Sequence, residues 1–222
     1  MKSIHWPGNI AQAKIIQEHL RAKVKIVRLK KKPRFIAGVD GAFSERRVFA
    51  AACLFSYPDL EFIAETTAVA RITFPYVPGF LSFREGPAII HAVERLKTKP
   101  DLILVDGQGI AHPRGIGIAS HIGVLLDIPT IGCAKSRLIG RFSEPGLKKG
   151  HWSPLLHEGK IIGAVLRTRD GIRPLFVSPG HRVSFVDSID FVLACTRHYR
   201  ISEPLRRADF LSKKARRELS AG

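Results

Sequence analysis

The chain has 222 residues, 45% of them hydrophobic and 25% charged, which suits a folded chain with one sizeable core and excludes a largely disordered one. Its 36 Lys and Arg outnumber 19 Asp and Glu, for a formal net charge of +17. That excess favours a polyanionic partner, and a nucleic acid before a membrane, because no polybasic segment adjoins an apolar anchor.

Helical periodicity runs from Ile10 to Ile26, with Ile15, Ile16, Leu20 and Val24 on one face. It passes into Arg28, Lys30, Lys31, Lys32 and Arg34, interrupted by Pro33. Phe35 to Asp40, Val48 to Phe55 and Glu61 to Ile72 read as three strands with turns at Ser44–Arg47 and Ser56–Asp59, an antiparallel meander. A Pro-rich loop, Phe74 to Gly79, leads to helical character over Glu85 to Leu96. Asp101 to Val105 and Thr130 to Ala134 are continuous apolar runs of the kind that bury both faces of a strand, with a helix over Ile116 to Leu126 between them. Ile161 to Thr168 and Leu175 to Ser178 add strands, Phe185 to Cys195 a helix, and a basic helix starts near Pro204. Meander followed by strand–helix–strand predicts an α/β fold with a mixed sheet flanked by helices, a single domain over 1–222 with basic helices at both ends.

Cys53, Cys133 and Cys195 stand far apart, each in an apolar run, as reduced core thiols do. Met1 to Asn9 carries no apolar signal-peptide core, and Val48 to Phe55 falls far short of the ~18 residues of a membrane span. A cytoplasmic protein is the expectation.

Asp40 follows Ile36-Ala-Gly-Val, and Asp106 follows Leu102-Ile-Leu-Val. A carboxylate at the end of a buried strand needs a cation, a metal or a strand-mouth site, because an unpaired buried charge is expensive. Both precede Gly, and Asp-Gly is also a hairpin-turn signal, so turn and site stay open for each alone. Glu85, at the start of a helix, invites the same question against helix capping. Several carboxylates in a basic chain make sense together if they hold Mg²⁺ while the surrounding surface holds phosphates, since Mg²⁺ prefers hard oxygen ligands. Two such ions ~4 Å apart can then activate a water and stabilise a leaving oxygen in phosphodiester cleavage. In Asp106-Gly-Gln-Gly-Ile-Ala-His-Pro-Arg-Gly115, His112 and Arg114 are candidates to meet a phosphate; the G-x-G-x-x-G spacing of a dinucleotide cradle is absent. Lys135, after Ile131-Gly-Cys-Ala134, is a candidate for the scissile phosphate or a solvated loop charge.

Taken together, four segments resemble the endonuclease V family, the deoxyinosine-directed endonucleases. They are Phe74-Pro-Tyr-Val-Pro-Gly-Phe-Leu-Ser-Phe-Arg-Glu-Gly-Pro87, Val105-Asp-Gly-Gln-Gly-Ile-Ala-His-Pro-Arg114 with Ala119-Ser-His-Ile-Gly123, Pro129-Thr-Ile-Gly-Cys-Ala-Lys-Ser-Arg-Leu138 and Phe176-Val-Ser-Pro-Gly-His-Arg-Val-Ser184. The resemblance runs in order from about Phe35 to Asp209. It implies an RNase H-like fold and Mg²⁺-dependent hydrolysis (Mn²⁺ substituting) of the second phosphodiester bond 3′ to inosine, in double- or single-stranded DNA, by a monomer. The metal positions it implies are Asp40, Asp106 and Glu85. Asp209 is an assisting carboxylate, carried over with a departure, because Ser202 stands where the family has the first Pro of Pro-Glu-Pro. His112 and Lys135 are implied as phosphate or transition-state contacts. Tyr76 is implied as an aromatic wedge that enters the duplex where the lesion base leaves, unstacking costing a few kcal/mol. Gly79, Leu81, Gly107, Gly117 and Leu138 are implied to line the base pocket, where hypoxanthine offers O6 and N1–H in place of the amino group and bare N1 of adenine. RNA containing inosine is an alternative substrate, distinguished by its 2′-OH; a noncatalytic nucleic-acid binder of the same fold is another reading, against which the intact carboxylates stand.

The flanks fit a phosphate partner. Arg21 to Arg34 holds eight basic residues and no acidic ones, and Arg197 to the end holds eight more against Glu203, Asp209 and Glu218. Such charges add affinity and salt dependence without sequence readout.

Overall fold

The computed structural model describes residues 6–220. Its centre is an eight-stranded sheet built from β1 (Phe35–Phe43), β2 (Arg47–Ser56), β3 (Phe62–Arg71), β4 (Leu102–Val105), β5 (Thr130–Ala134), β6 (Trp152–His157), β7 (Lys160–Leu166) and β8 (Leu175–His181), in the order β3-β2-β1-β4-β5-β8-β7-β6. The first three strands form the antiparallel meander, β4 and β5 run parallel to β1, and β8, β7 and β6 return antiparallel. The mixed direction follows from the connections: tight turns join β1 to β3, whereas β4 and β5 are reached through helices.

Period-two alternation sends Ala37 and Val39 of β1 to one face and Ile36 to the other. Helices α2 (Leu81–Glu94) and α3 (Ile118–Leu126) close the first face with Ile89, Val93 and Ile122. Helices α4 (Phe185–Ala194) and α5 (Glu203–Ser220) cover the second with Ile189, Val192 and Leu205. Each such fully buried aliphatic side chain contributes about 1.5–3 kcal/mol. α5 lies against β1 because residue 38 is glycine: a Cβ there would stand 2.2 Å from the Pro204 carbonyl carbon. This is an α/β, RNase H-like architecture, as the sequence predicts. Among the described residues no helix is long and apolar enough to cross a membrane, and all three cysteines are free and buried.

Three expectations change. The first helix, α1, covers only Ile10–Arg21 and buries Ala13, Gln17 and Leu20, while Ile15 is exposed; most of the basic run from Arg21 to Arg34 lies beyond it in non-helical chain. α2 begins at Leu81, not Glu85, and carries Pro87 inside. β6, which the sequence reading left out, pairs with β7 at the sheet edge, where Pro154 is tolerated.

Candidate active site

Register brings the two strand carboxylates together. Val39 of β1 is paired with Val105 of parallel β4, so Asp40 and Asp106 come next on neighbouring strands. Both share the parity of Gly38 and Leu104, the face covered by α5. Asp40 does not end its strand: β1 continues to Phe43, with Asp40 opposite Ala51, which removes the hairpin-turn reading. What ends there is the parallel pairing, so the strands part and leave a mouth.

α5 delivers the third carboxylate. One oxygen each of Asp40, Asp106 and Asp209 lie within 4.8 Å of one another. Glu85 reaches the same cleft from the opposite face of the sheet, where Gly41 has no side chain: a Cβ on Gly41 would lie 3.5 Å from Glu85 Oε2. The expected set of Asp40, Asp106 and Glu85 therefore meets, but the tight three-oxygen cluster takes Asp209 as its third member. Glu85 is only 5% exposed and sits in the second turn of α2, so it is no helix cap.

Electrostatics mark the cluster as short of positive charge. Burial, and then Asp106, raise the Asp40 carboxyl to about 8. Burial, followed by Asp40 and Asp106, holds Glu85 well above the usual carboxylate range. Lys135 is bonded to Asp106 and lies 3.8 Å from Asp209, while Lys213 donates to Asp209 at 2.7 Å. Among the described residues Asp40 and Glu85 have no ion pair. Two carboxylates without cations, beside two with them, in a cleft of about 410 Å³, form a hard-oxygen donor set that fits a divalent metal.

Lys135 lies where the sequence placed it, past the end of β5 on the α5 face. His112 and Arg114 do not line the cleft. Both meet the carbonyl oxygen of Gly79, Arg114 Nη2 at 2.6 Å and His112 Nε2 at 3.0 Å, and Gln17 Nε2 donates to the same oxygen at 2.9 Å. Gly79 stands at φ +80°, a left-handed conformation that favours glycine. His112 Nδ1 accepts from the Arg114 N–H, so Nε2 carries the proton that Gly79 accepts. Burial, then Arg114, push this imidazole down to about 4, which keeps it neutral. The carbonyl so held ends the Tyr76 loop, and Tyr76 itself is 70% exposed. Leu81 is the first residue of α2, while Gly107 follows Asp106, Gly117 precedes α3 and half-exposed Leu138 follows β5 on loops.

Lys213, Arg216 and Phe43 also line the cleft and escaped the sequence reading. Their signal was present: Asp209, Lys213 and Arg216 follow at i, i+4 and i+7, one face of a helix.

An RNase H-like sheet with carboxylates from two adjacent parallel strands and a closing helix defines a nuclease whose acidic cluster can hold a divalent metal. Comparison with known proteins narrows the class. The family model described as Endonuclease V matches residues 18–210. An Endonuclease V of Trichormus variabilis is 52% identical over 210 residues, 93% of this chain and 95% of that one. The crystal structure of Endonuclease V from Streptomyces avermitilis superposes with a TM-score of 0.93 at 42% identity, covering 97% and 96% of the two chains. Endonuclease V of Ciona intestinalis, solved in complex with a 24-mer DNA containing an inosine followed by a ribo-adenosine, gives a TM-score of 0.82 at 28% identity over 94% and 98%. The chain belongs to the endonuclease V family.

Proposed function

We propose that this protein is a DNA-repair endonuclease that recognises inosine and hydrolyses the second phosphodiester bond on its 3′ side, with Mg²⁺ as cofactor and Mn²⁺ able to substitute. The observation that carries the reading is the convergence of Asp40, Asp106 and Asp209 within 4.8 Å in an open cleft. The DNA bound by the Ciona relative supports the substrate class.

In this reading Asp40, Asp106 and Asp209 hold the ion, with Glu85 as a further oxygen donor beneath Gly41. A divalent ion in such a set supplies Lewis-acid stabilisation of the charge developing on the phosphoryl oxygens. Lys135, bonded to Asp106, holds its ammonium at the cleft, where it would contact the scissile phosphate. Lys213 and Arg216 add charge along the α5 wall. His112 and Arg114 act at one remove, fixing the loop that ends at Gly79. Tyr76, exposed between Pro75 and Pro78, is the wedge that fills the stack as the base leaves. Gly79, Leu81, Gly107, Gly117 and Leu138 surround the extruded base.

The test is strand cleavage of a labelled duplex carrying one inosine, with Mg²⁺ and with EDTA, beside unmodified DNA and the RNA equivalent. A metal-dependent nick at the second bond 3′ to inosine in DNA is expected. Lesion-selective binding without a nick would leave a noncatalytic binder, and a nick confined to RNA would move the activity to RNA.

A further inference from the structure

Beyond the cleft, at the tip of the β1–β2 hairpin, a second hollow of about 260 Å³ is lined by Arg46, Arg47, Arg71, Val69 and Ala70. No acidic residue lines it. Arg47 and Arg71 are direct cross-strand partners in the β2–β3 ladder, an arrangement in which like charges destabilise the pair. Among the described residues none of the three guanidiniums has an ion pair or a side-chain hydrogen bond, although Glu45 stands next to Arg46. Three exposed arginines gathered around a hollow without a carboxylate match a phosphate-bearing partner, since guanidinium binds phosphate through paired N–H donors.

The fold puts this hollow in line with the carboxylates. α5 runs beside β1 in the same direction: Pro204 packs on Gly38, Asp209 meets Asp40, and Arg216 Nη1 donates to the Phe43 carbonyl at 3.4 Å. Lys213 and Arg216 thus extend the cleft from the carboxylates towards the hairpin tip. In sheet order the β4 and β5 loops bearing Gly107 and Leu138 lie on one side of Asp40, and Arg47 and Arg71 on β2 and β3 lie on the other. Arg47 is four residues along β2 from Ala51, the partner of Asp40, or ~13 Å at the usual strand rise. That is about four nucleotides of duplex rise.

We propose that Arg46, Arg47 and Arg71 form a backbone-phosphate site for the nucleic-acid arm 3′ of the cut. This rests on the reading above that the lesion lies at the β4–β5 loops and the cut lies 3′ to it. Contacts of this kind position the strand and carry no base readout.

The experiment measures binding of inosine duplexes with Ca²⁺ in place of Mg²⁺, comparing 3′ arms of about ten and about two nucleotides beyond the cut. Wild type and the Arg47→Ala/Arg71→Ala variant are titrated over a salt series. On the long arm the variant should bind ~10-fold more weakly, with a log–log salt slope reduced by about one to two, the loss expected for that many phosphate contacts. On the short arm the two proteins should bind alike, and an Arg47→Lys/Arg71→Lys variant should recover most of the long-arm affinity. Equal affinity and slope on the long arm, an equal loss on both arm lengths, or a loss that follows the 5′ arm would each overturn the assignment. Failure of the underlying reading shows separately: wild type would then not prefer inosine duplex over unmodified duplex on either arm.

Discussion

Arg114 and Gln17 hold one another across the molecule: Arg114 Nε donates to Gln17 Oε1 at 2.5 Å while both side chains donate to the Gly79 carbonyl. Gln17 belongs to α1 and is fully buried; Arg114 lies in the β4–α3 loop with its guanidinium 4.1 Å from the centre of the Phe80 ring. Together with His112 they bolt the Tyr76 loop to the body of the protein. A wedge acts well only if its order is supplied before binding, because ordering it during binding subtracts from affinity.

Gln17→Leu should therefore loosen the loop and leave Arg114 short of an acceptor, at about 1–3 kcal/mol. The ratio of affinities for inosine and unmodified duplex should fall by ~10-fold, equivalent to about 1.4 kcal/mol. A Tyr76→Trp reporter placed in both backgrounds would show lower fluorescence anisotropy with Gln17→Leu. Unchanged discrimination and unchanged anisotropy would mean that the three hydrogen bonds on Gly79 serve stability alone.

Asp40→Asn separates chemistry from stability. Asp40 titrates at about 8 in the fold against an ordinary value of 3.8, so the folded state keeps a proton that the unfolded state releases. Without metal, its contribution is intact below pH ~3.8 and is lost as the pH rises towards about 8. Asparagine has nothing to ionise. In EDTA the variant should melt at least ~3 °C above wild type at pH 8, the shift expected of about 1 kcal/mol in a chain of this size, and level with it near pH 4. Its nicking should fall by on the order of 10³-fold or more, the loss of several kcal/mol of charge stabilisation. Scanning calorimetry and single-turnover cleavage check the two halves.

Much of this site was legible from side-chain type and strand pattern. Asp40 and Asp106 stand at the ends of apolar runs, and parallel strands of like register had only to lie side by side. The place of Asp209 could not be read from pattern, because a carboxylate on an amphipathic basic helix looks like any solvated residue until Gly38 lets the helix settle on β1. Gln17 was hidden for the opposite reason: a polar residue on the inner face of α1 breaks the apolar periodicity, and its partners are 62 and 97 residues away in sequence. β6 was missed because Pro154 and exposed Trp152 and Leu156 blur a strand that needs only one partner. His112 was chemically plausible at a phosphate, and only burial and the Gly79 contact place it elsewhere.

Metal binding should be linked to protons. At pH 7 the Asp40 carboxyl, held at about 8 by burial and by Asp106, is largely protonated, and a divalent cation takes the carboxylate. Mn²⁺ affinity should rise with pH from 6 through about 8, with at least one proton released per binding event at pH 7 and more if Glu85 also ligates. Calorimetric titration in buffers of different ionisation enthalpy measures that proton directly. A pH-independent affinity between pH 6 and 8 would remove Asp40 from the ligands. EDTA should abolish nicking, and added Mg²⁺ should restore it.

The third ligand can be decided between Asp209 and Glu85. Asp209 contributes to the cluster of oxygens within 4.8 Å. Against the opposing effect of burial, the hydrogen bond from Lys213, the charges of Lys135 and Lys213 and a hydrogen bond with Asp40 hold it below the usual carboxylate range, ready to bind a cation without losing a proton. Glu85 is buried behind Gly41 with its carboxyl raised, so binding through it requires deprotonation. Asp209→Asn should raise the Mg²⁺ concentration for half-maximal nicking by ~10–100-fold, the range seen when one supporting group of a metal site is lost. Glu85→Gln should move that midpoint less at pH 8 and flatten its dependence on pH, because the second group that must ionise is gone. A Mg²⁺ titration of nicking at pH 6.5 and pH 8 reads both effects; a larger midpoint shift from Glu85→Gln than from Asp209→Asn at pH 8 would reverse the two roles and restore Glu85 as the third carboxylate on the ion.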